Sequence, residues 1–378
     1  MKGLMKLTVA GSIMIALLAS ASAVFAAGIT VYEDGDKYVK LGGRIQVQYH
    51  FEDPDGGNSE DDLFFRRLRP YIEGSLHKYW KGKFQWDMGK SSGANEIAIK
   101  DAYMQYEGIN VVKVTIGNAK FPFSRELLTS SKKQQLVERT FVGDHNYGSP
   151  DRQLGVHLTG AALDKKLTWG ASVAKGAIDP SSSKLDFDTL ANKDADFIKG
   201  WMYGGRVDFH PFGNLKMEQG DFKRELKATI GAGAFSWSND EDVVNGGSDV
   251  DKVTGLEISG AVRGAGLSLD AQYNLFNAET VDPTLTSGLF KNGETVLESF
   301  AVEGGYMILP AQLELVAGYE YQDADNYTEV WTRTSVGANY FFKKQDVKLQ
   351  ATYRMGENLK GTAGNDADEF FLQMQYVF

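Results

Sequence analysis

Apolar and polar residues alternate along most of this chain in segments of nine to sixteen residues, and the pattern recurs sixteen times. From Tyr38 onward, Val39, Leu41, Ile45, Val47, Tyr49 and Phe51 fall on one side, with Lys40, Arg44, Gln46, Gln48 and His50 on the other. A period of two is that of a β-strand, whose successive side chains leave on opposite faces. Fifteen further segments read the same way, at 62–77, 79–90, 96–107, 111–119, 151–162, 166–176, 199–210, 223–236, 254–264, 265–277, 296–308, 311–323, 329–342, 346–357 and 368–378. One alternating strand fits a soluble sandwich equally well, so the weight falls on the number of segments and on what joins them.

The connections alternate in length. The first, 52–61, is long, and a tight turn near Lys78 follows. Short connections then fall at 108–110, 163–165, 263–265, 309–310 and 343–345, and long ones at 121–150, 177–198, 237–253, 278–295 and 358–367. Three depart from the rule: 211–222 is too long for its place, and 91–95 and 324–328 are too short. Short turns at one end, long loops at the other and an even strand number are the pattern of bacterial transmembrane barrels. The expected fold is therefore all-β, a transmembrane antiparallel β-barrel of sixteen strands.

Which face lines the interior follows from the cost of charge in hydrocarbon. In 346–357, Val347, Leu349, Ala351, Tyr353 and Met355 share one face, and Lys348, Gln350, Thr352 and Arg354 share the other. A Lys or Arg turned to lipid at the midplane costs about 2–4 kcal/mol, so the charged face belongs inside. The polar face is expected to be inward, the inverse of a soluble core. The chain ends with Phe370, Leu372, Met374, Tyr376 and Phe378 on one face, which resembles the assembly signal of outer-membrane barrels.

The N-terminus carries Lys2 and Lys6, an apolar run over 7–19 and small residues up to Ala26. That run is shorter than the roughly 20 apolar residues a membrane helix needs. It reads as a signal peptide, 1–26, cut after Ala26 and followed by a barrel domain over 27–378. Removing its two lysines takes the formal charge from −10 to −12. With no cysteine in the chain there is no disulfide framework, thiolate metal site or Cys nucleophile.

The stretch 121–150 is the one long segment that looks folded without reading as a strand. Lys120, Arg125, Lys132, Lys133 and Arg139 lie in or beside it, and Leu127, Leu128, Leu136 and Val137 are placed to anchor a short helix against a wall. By strand count it is the third outer loop. It is expected to lie inside the barrel and to set the width of a pore.

Four segments, FFRRLRPYIEG (64–74), IKDAYMQYEGI (99–109), VTIGNAKFPFSRELLTSSKKQQLVERTF (114–141) and DRQLGVHLTG (151–160), resemble the phosphate-selective porin O and P family. The resemblance implies a sixteen-stranded barrel, commonly a homotrimer, with an inward-folded third loop and a basic constriction that favours anions. By motif position it carries over Arg66, Arg67 and Arg69 from the FRRxR segment and Lys120 from the GxxK segment. Arg44, on the first strand, and Arg125 and Lys132, on the loop, join them; Lys133 and Arg139 complete the loop's bases. Arg67 and Arg69 point the same way on a strand, whereas Arg66 points oppositely unless a bulge re-aims it. The other reading of Arg66 puts it at the headgroup level against lipopolysaccharide phosphate.

The expected partners are small inorganic anions or small hydrophilic solutes, together with outer-membrane lipid and lipopolysaccharide. Alternation puts twelve bases and nine acids on the inward wall, and the loop brings the totals to seventeen against twelve. Most wall charges are therefore expected to pair, leaving a weak to moderate anion preference. Outer stretch 52–62 holds six acids and no base and 238–251 holds five acids and no base, which opposes anions at the mouth. Five scattered histidines and the lack of HExxH or GxSxG give no metal or enzyme motif, and no cofactor is expected. An acidic chain without a basic patch excludes nucleic-acid binding. Two other readings stay open: a sealed structural or adhesive barrel, and a general or oligosaccharide porin with Tyr71, Tyr103 and Trp331 facing inward.

Overall fold

A computed structural model describes residues 28–89, 97–192, 197–240 and 249–378. The expected signal peptide, the connection at 91–95 and most of the acidic stretch 238–251 lie outside the described residues. In chain order the strands are β1 (Ile29–Asp34), β2 (Lys37–Pro54), β3 (Glu60–His77), β4 (Trp80–Asp87), β5 (Ala98–Ile109), β6 (Val112–Lys120), β7 (Arg152–Ala162), β8 (Leu167–Ile178), β9 (Phe187–Asp188) and β10 (Ile198–Phe209). They continue as β11 (Lys227–Asn239), β12 (Val250–Gly264), β13 (Leu267–Thr280), β14 (Glu294–Leu309), β15 (Leu313–Ala324), β16 (Trp331–Lys343), β17 (Val347–Glu357) and β18 (Ala367–Val377).

Setting aside the short β1 and β9, sixteen antiparallel strands form the wall, and each of the sixteen expected segments is among them with ends moved by four residues at most. The wall closes where β18 pairs with β2, from Ala367 opposite Pro54 to Val377 opposite Arg44. Closure leaves no unpaired edge, which is what allows strands to sit in lipid. β1 was not foreseen. It pairs with β2 from Leu41 outward, continuing the line of β18 beyond the chain's last residue.

Burial follows the alternation with the faces assigned by charge. In β12, Glu257, Ser259 and Arg263 are buried while Leu256, Ile258 and Val262 are exposed. Exposed aromatics gather toward strand ends: Trp80, Phe209, Tyr306, Phe342 and Tyr376 beside the turns, Trp201 and Tyr203 beside the loops. Such girdles mark the two interfaces of the apolar band.

Among the described residues the rule of a polar interior gives way to one large apolar cluster. Phe235, Trp237 and Phe276 share the buried face of β11 and β13 and pack with Phe121, Phe123, Phe187, Leu289 and Phe290 in one apolar cluster. Phe123 meets Phe235 edge-on with centroids 4.9 Å apart, and Phe187 meets it at 5.6 Å. Period-two reading assigns faces but not what fills the space between them, so this cluster needed the tertiary contacts.

The 121–150 stretch contains two 3-10 turns, Ser131–Lys133 and Phe141–Gly143, and one α-helical turn, Arg125–Leu128, capped by Ser124, whose side chain accepts from Leu127 N at 3.2 Å. Leu127, Leu136 and Val137 are buried as expected. Its backbone is bonded to the polar faces of the later strands. Phe141 N donates to Glu320 at 2.6 Å, Asn339 Nδ2 donates to Gln135 O at 2.9 Å, and Lys348 Nζ donates to Gln134 O at 2.8 Å.

Candidate functional site

Two bulges decide which bases reach the interior of the early wall. In β3, Gln46 opposes Arg67 and Val47 opposes Phe65, so Arg66 is the extra residue. In β5, Phe84 opposes Ala102 and Trp86 opposes Ile99, which leaves Lys100 and Asp101 across from Gln85 alone. A bulge turns a side chain that alternation would send to lipid. At both places two charged residues stand side by side in a strand, and strict alternation would expose one of them to hydrocarbon at a cost of about 2–4 kcal/mol at the midplane.

Arg66 is thereby re-aimed onto the loop, where it grips Glu138 with both arms, Nε to Oε1 at 2.6 Å and Nη2 to Oε2 at 2.9 Å. Burial alone would raise the Glu138 carboxyl, but the Arg66 guanidinium outweighs it and holds the acid ionised, well below its usual range.

A cavity of about 420 Å³ lies between this wall and the loop. Its lining includes eight bases, Arg44, Arg66, Arg67, Arg69, Lys100, Lys120, Arg139 and Arg152, against four carboxylates, Asp87, Glu138, Asp144 and Asp151. A second cavity of about 460 Å³ is lined by Tyr71, Glu73, Lys83, Asp101, Tyr103, Lys132 and Val377 among others. Four residues border both: Arg44, Lys120, Ser130 and Arg152.

These bases differ in what they already hold. Arg69 Nε donates to Asp87 at 2.5 Å, and Arg152 Nε donates to Asp101 at 2.5 Å while its Nη1 reaches Asp151 at 3.0 Å. Lys120 donates to the carbonyls of Leu127 at 2.5 Å and Leu128 at 2.9 Å. It caps the end of the helical turn, a usual place for a cation. Arg139 likewise donates to Glu126 O at 2.5 Å and Thr129 O at 2.9 Å.

Arg44 and Arg67 keep buried donors open, as do Arg125, Arg263 and Arg354, but those three are in ion pairs and, among the described residues, these two are not. Among the described residues no atom accepts from Arg44 Nε or Nη1 or from Arg67 Nε, and Arg67 Nη1 donates to Gln46 Oε1 at 3.1 Å. Both are buried, at 7% and 4% exposure. Buried donors are nearly always matched, so these charged, unmatched N–H groups are open to a passing acceptor.

Of the other anticipated bases, Lys132 borders the second cavity, and burial, then Arg44 and Lys133, push its ammonium pKa down. Arg125 and Lys133 border neither cavity. Arg125 is turned to the later wall, its Nε 3.2 Å from Asp270, and Lys133 pairs with Glu218 at 2.6 Å. Sequence reasoning missed Lys100, Arg152 and His145, all of which line the first cavity. Adjacent charges, Lys100 beside Asp101 and Asp151 beside Arg152, were the available signal of broken alternation. His145 Nδ1 lies 2.6 Å from Asp186. Burial lowers its pKa, but Asp186 prevails and raises it to about 9, which keeps the ring cationic at neutral pH.

The later wall carries its charges differently. Arg206 bonds Asp208 at 2.8 Å, Glu257 at 2.6 Å, Ser259 Oγ at 2.7 Å and Phe123 O at 2.7 Å. Arg263 bonds Asp270 at 2.5 Å. Among the described residues, His50, Glu52 and Glu369 are the one group placed closely enough to hold a metal ion, with Glu369 also 3.4 Å from Arg354.

Porin O of Pseudomonas aeruginosa is 24% identical to this chain over 90% of its length and 88% of the relative's. An uncharacterized protein of Aquifex aeolicus is also 24% identical, over 90% and 86%. Among solved structures, an anion-selective porin from Comamonas acidovorans superposes with a TM-score of 0.63 at 14% identity, covering 90% of this chain and 100% of that one. The outer membrane channel DcaP of Acinetobacter baumannii superposes with a TM-score of 0.61 at 14% identity, covering 93% and 100%. Matching the family pattern across residues 39–378, the chain belongs to the phosphate-selective porin O and P family.

Proposed function

We propose that this protein is an outer-membrane diffusion porin, a passive channel with a weak to moderate preference for small anions such as phosphate. In this reading the 121–150 segment lies within the barrel as its constriction, and the aqueous path runs along the early wall, β2–β7. The observation that carries it is the basic border common to the two cavities, Arg44, Lys120 and Arg152. An anion shedding part of its hydration there meets the free donors of Arg44 and Arg67. At an effective dielectric near 20 a charge pair at about 4 Å is worth roughly 4 kcal/mol before desolvation, enough to bias passage. A conducting site must also let go, and fixed acids such as Asp87 and Asp151 beside the bases offset part of that attraction.

The family's fold belongs to an outer membrane. A leader at 1–26 removed on export, assembly as a homotrimer and contact with lipopolysaccharide are parts of the same proposal; a trimeric form of OmpT of Vibrio cholerae is among the structures with this fold. Planar-bilayer recordings in a salt gradient test it directly. A reversal potential on the anion side is expected, and a sealed or cation-selective barrel refutes the reading.

A further inference from the structure

The connection between β10 and β11 sits on the short-turn side yet is too long for a turn, and its middle is buried, with Gln219 2% exposed and Asp221 4%. Gln219 commits all four of its polar groups. Its N–H donates to Lys133 O at 3.0 Å. Its Oε1 accepts from Gln135 N at 2.7 Å, its Nε2 donates to Glu303, and its carbonyl accepts from Gln345 Nε2 at 3.0 Å. Beside it Glu218 pairs with Lys133 at 2.6 Å, and its carbonyl accepts from Arg263 Nη2 at 2.8 Å. The chain then reverses at Gly220, where φ is +82° and a Cβ would stand 3.0 Å from the Phe222 ring. Phe222 secures the returning limb edge-on against Phe341, centroids 4.9 Å apart.

We propose that this connection is a strut that enters the barrel from the end opposite the long loops and props the constriction, with Gln219 as the positioning residue. The proposal rests on the reading of the 121–150 segment as that constriction. Each stretch of the segment is held by a different partner. Lys120 clamps the carbonyls after the helical turn, Gln375 Nε2 holds Lys132 O at 3.0 Å, and Gln219 takes both Lys133 O and Gln135 N. Ser130 borders both cavities and Lys132 the second, so a shift at 133–135 moves the lining of the path itself. The strut also fills space beside Glu303 and Glu314, neither of which is in an ion pair among the described residues, so its loss opens a route past two carboxylates that favours cations.

Two variants test this: Gln219→Ala, and replacement of 212–224 by a two-residue turn. Each is expected to raise single-channel conductance about twofold and to lower the anion-to-cation permeability ratio, with the barrel still folded by its heat-shifted gel mobility. Wild-type conductance and selectivity in both variants would overturn the proposal. Because the chain has no cysteine, the Lys133→Cys, Glu218→Cys pair supplies a readout independent of ion flow. A short bifunctional thiol reagent is expected to link the pair within one chain, and in a Gln219→Ala background the link is expected to restore wild-type conductance. Failure to link refutes the strut. A Lys133→Cys, Glu218→Cys protein that keeps Gln219 and links on this pair but carries no anion current refutes the porin reading alone.

Discussion

The early wall, β2–β7, and the later wall, β10–β17, are built from the same alternation and the same residue types, yet they treat charge in opposite ways. On the later wall the arginines stand in ion pairs: Arg206 with Asp208 and Glu257, Arg263 with Asp270, Arg333 with Glu320 at 3.9 Å and Arg354 with Glu369 at 3.4 Å. There the loop is bonded and the aromatic cluster sits, so the space is filled. On the early wall Arg44 and Arg67 keep unmatched donors and, among the described residues, are in no ion pair, and the two cavities remain. A count over the whole interior, seventeen bases to twelve acids by alternation, averages these halves. In the proposed path a permeating ion meets only the lining, and that of the first cavity has eight bases, with His145 beside them, to four carboxylates.

The largest expected effect follows from charge reversal on the open side. Arg44→Glu should lower the anion-to-cation permeability ratio about tenfold or more, since a tenfold change needs only part of the roughly 4 kcal/mol of a close pair. Arg67→Glu is expected to follow it. Arg125→Gln and Lys133→Gln, on the filled side, should leave the ratio within about twofold. Equal shifts on both sides, read as reversal potentials, would erase the contrast between the walls.

Stability should respond in the opposite sense. Arg206→Ala leaves Asp208 and Glu257 buried without their partner, a loss of about 3–5 kcal/mol that urea unfolding in detergent can detect. Arg44→Ala removes a buried charge that lacks a carboxylate and should be neutral or stabilising.

A smaller change is expected of Arg66→Leu. It frees the Glu138 carboxylate into the cavity and should reduce the permeability ratio about threefold, less than reversal at Arg44 because one charge is removed rather than inverted. The smallest effect concerns pH. His145 is raised from 6.5 to about 9 by Asp186, so its contribution to stability is fully present below pH 6.5 and is lost as pH rises through 9. Anion preference should therefore decline slightly between about pH 8 and 10, and His145→Gln should abolish that step in the reversal potential.

Much of this was legible in the sequence because lipid imposes a simple rule. Strand segments such as 346–357 and 368–378 show which face meets hydrocarbon, and the structure pairs like faces of the two, Leu349 opposite Met374 and Gln350 opposite Gln373. Arg67, Arg69 and Lys120 were likewise assigned to the interior by motif and position, and they line the first cavity. Lys100 was missed because period-two reading sends it to lipid, and the bulge that recovers it is a property of the pairing with β4. Arg125 and Lys133 were grouped with the cavity bases because loop sequence carries no face periodicity. Their partners, Asp270 and Glu218, are more than eighty residues away.

By itself, then, the sequence determined the sixteen-stranded barrel and its polar interior, since both follow from the local cost of exposing backbone and charge to hydrocarbon. Only the tertiary structure decided which half is filled and which bases stay free. That outcome depends on contacts between distant segments: Glu138 taking Arg66, Glu257 taking Arg206, and Gln219 meeting the backbone of Lys133. A local pattern records the face a side chain leaves from, whereas the partner it finds is set by closure of the barrel.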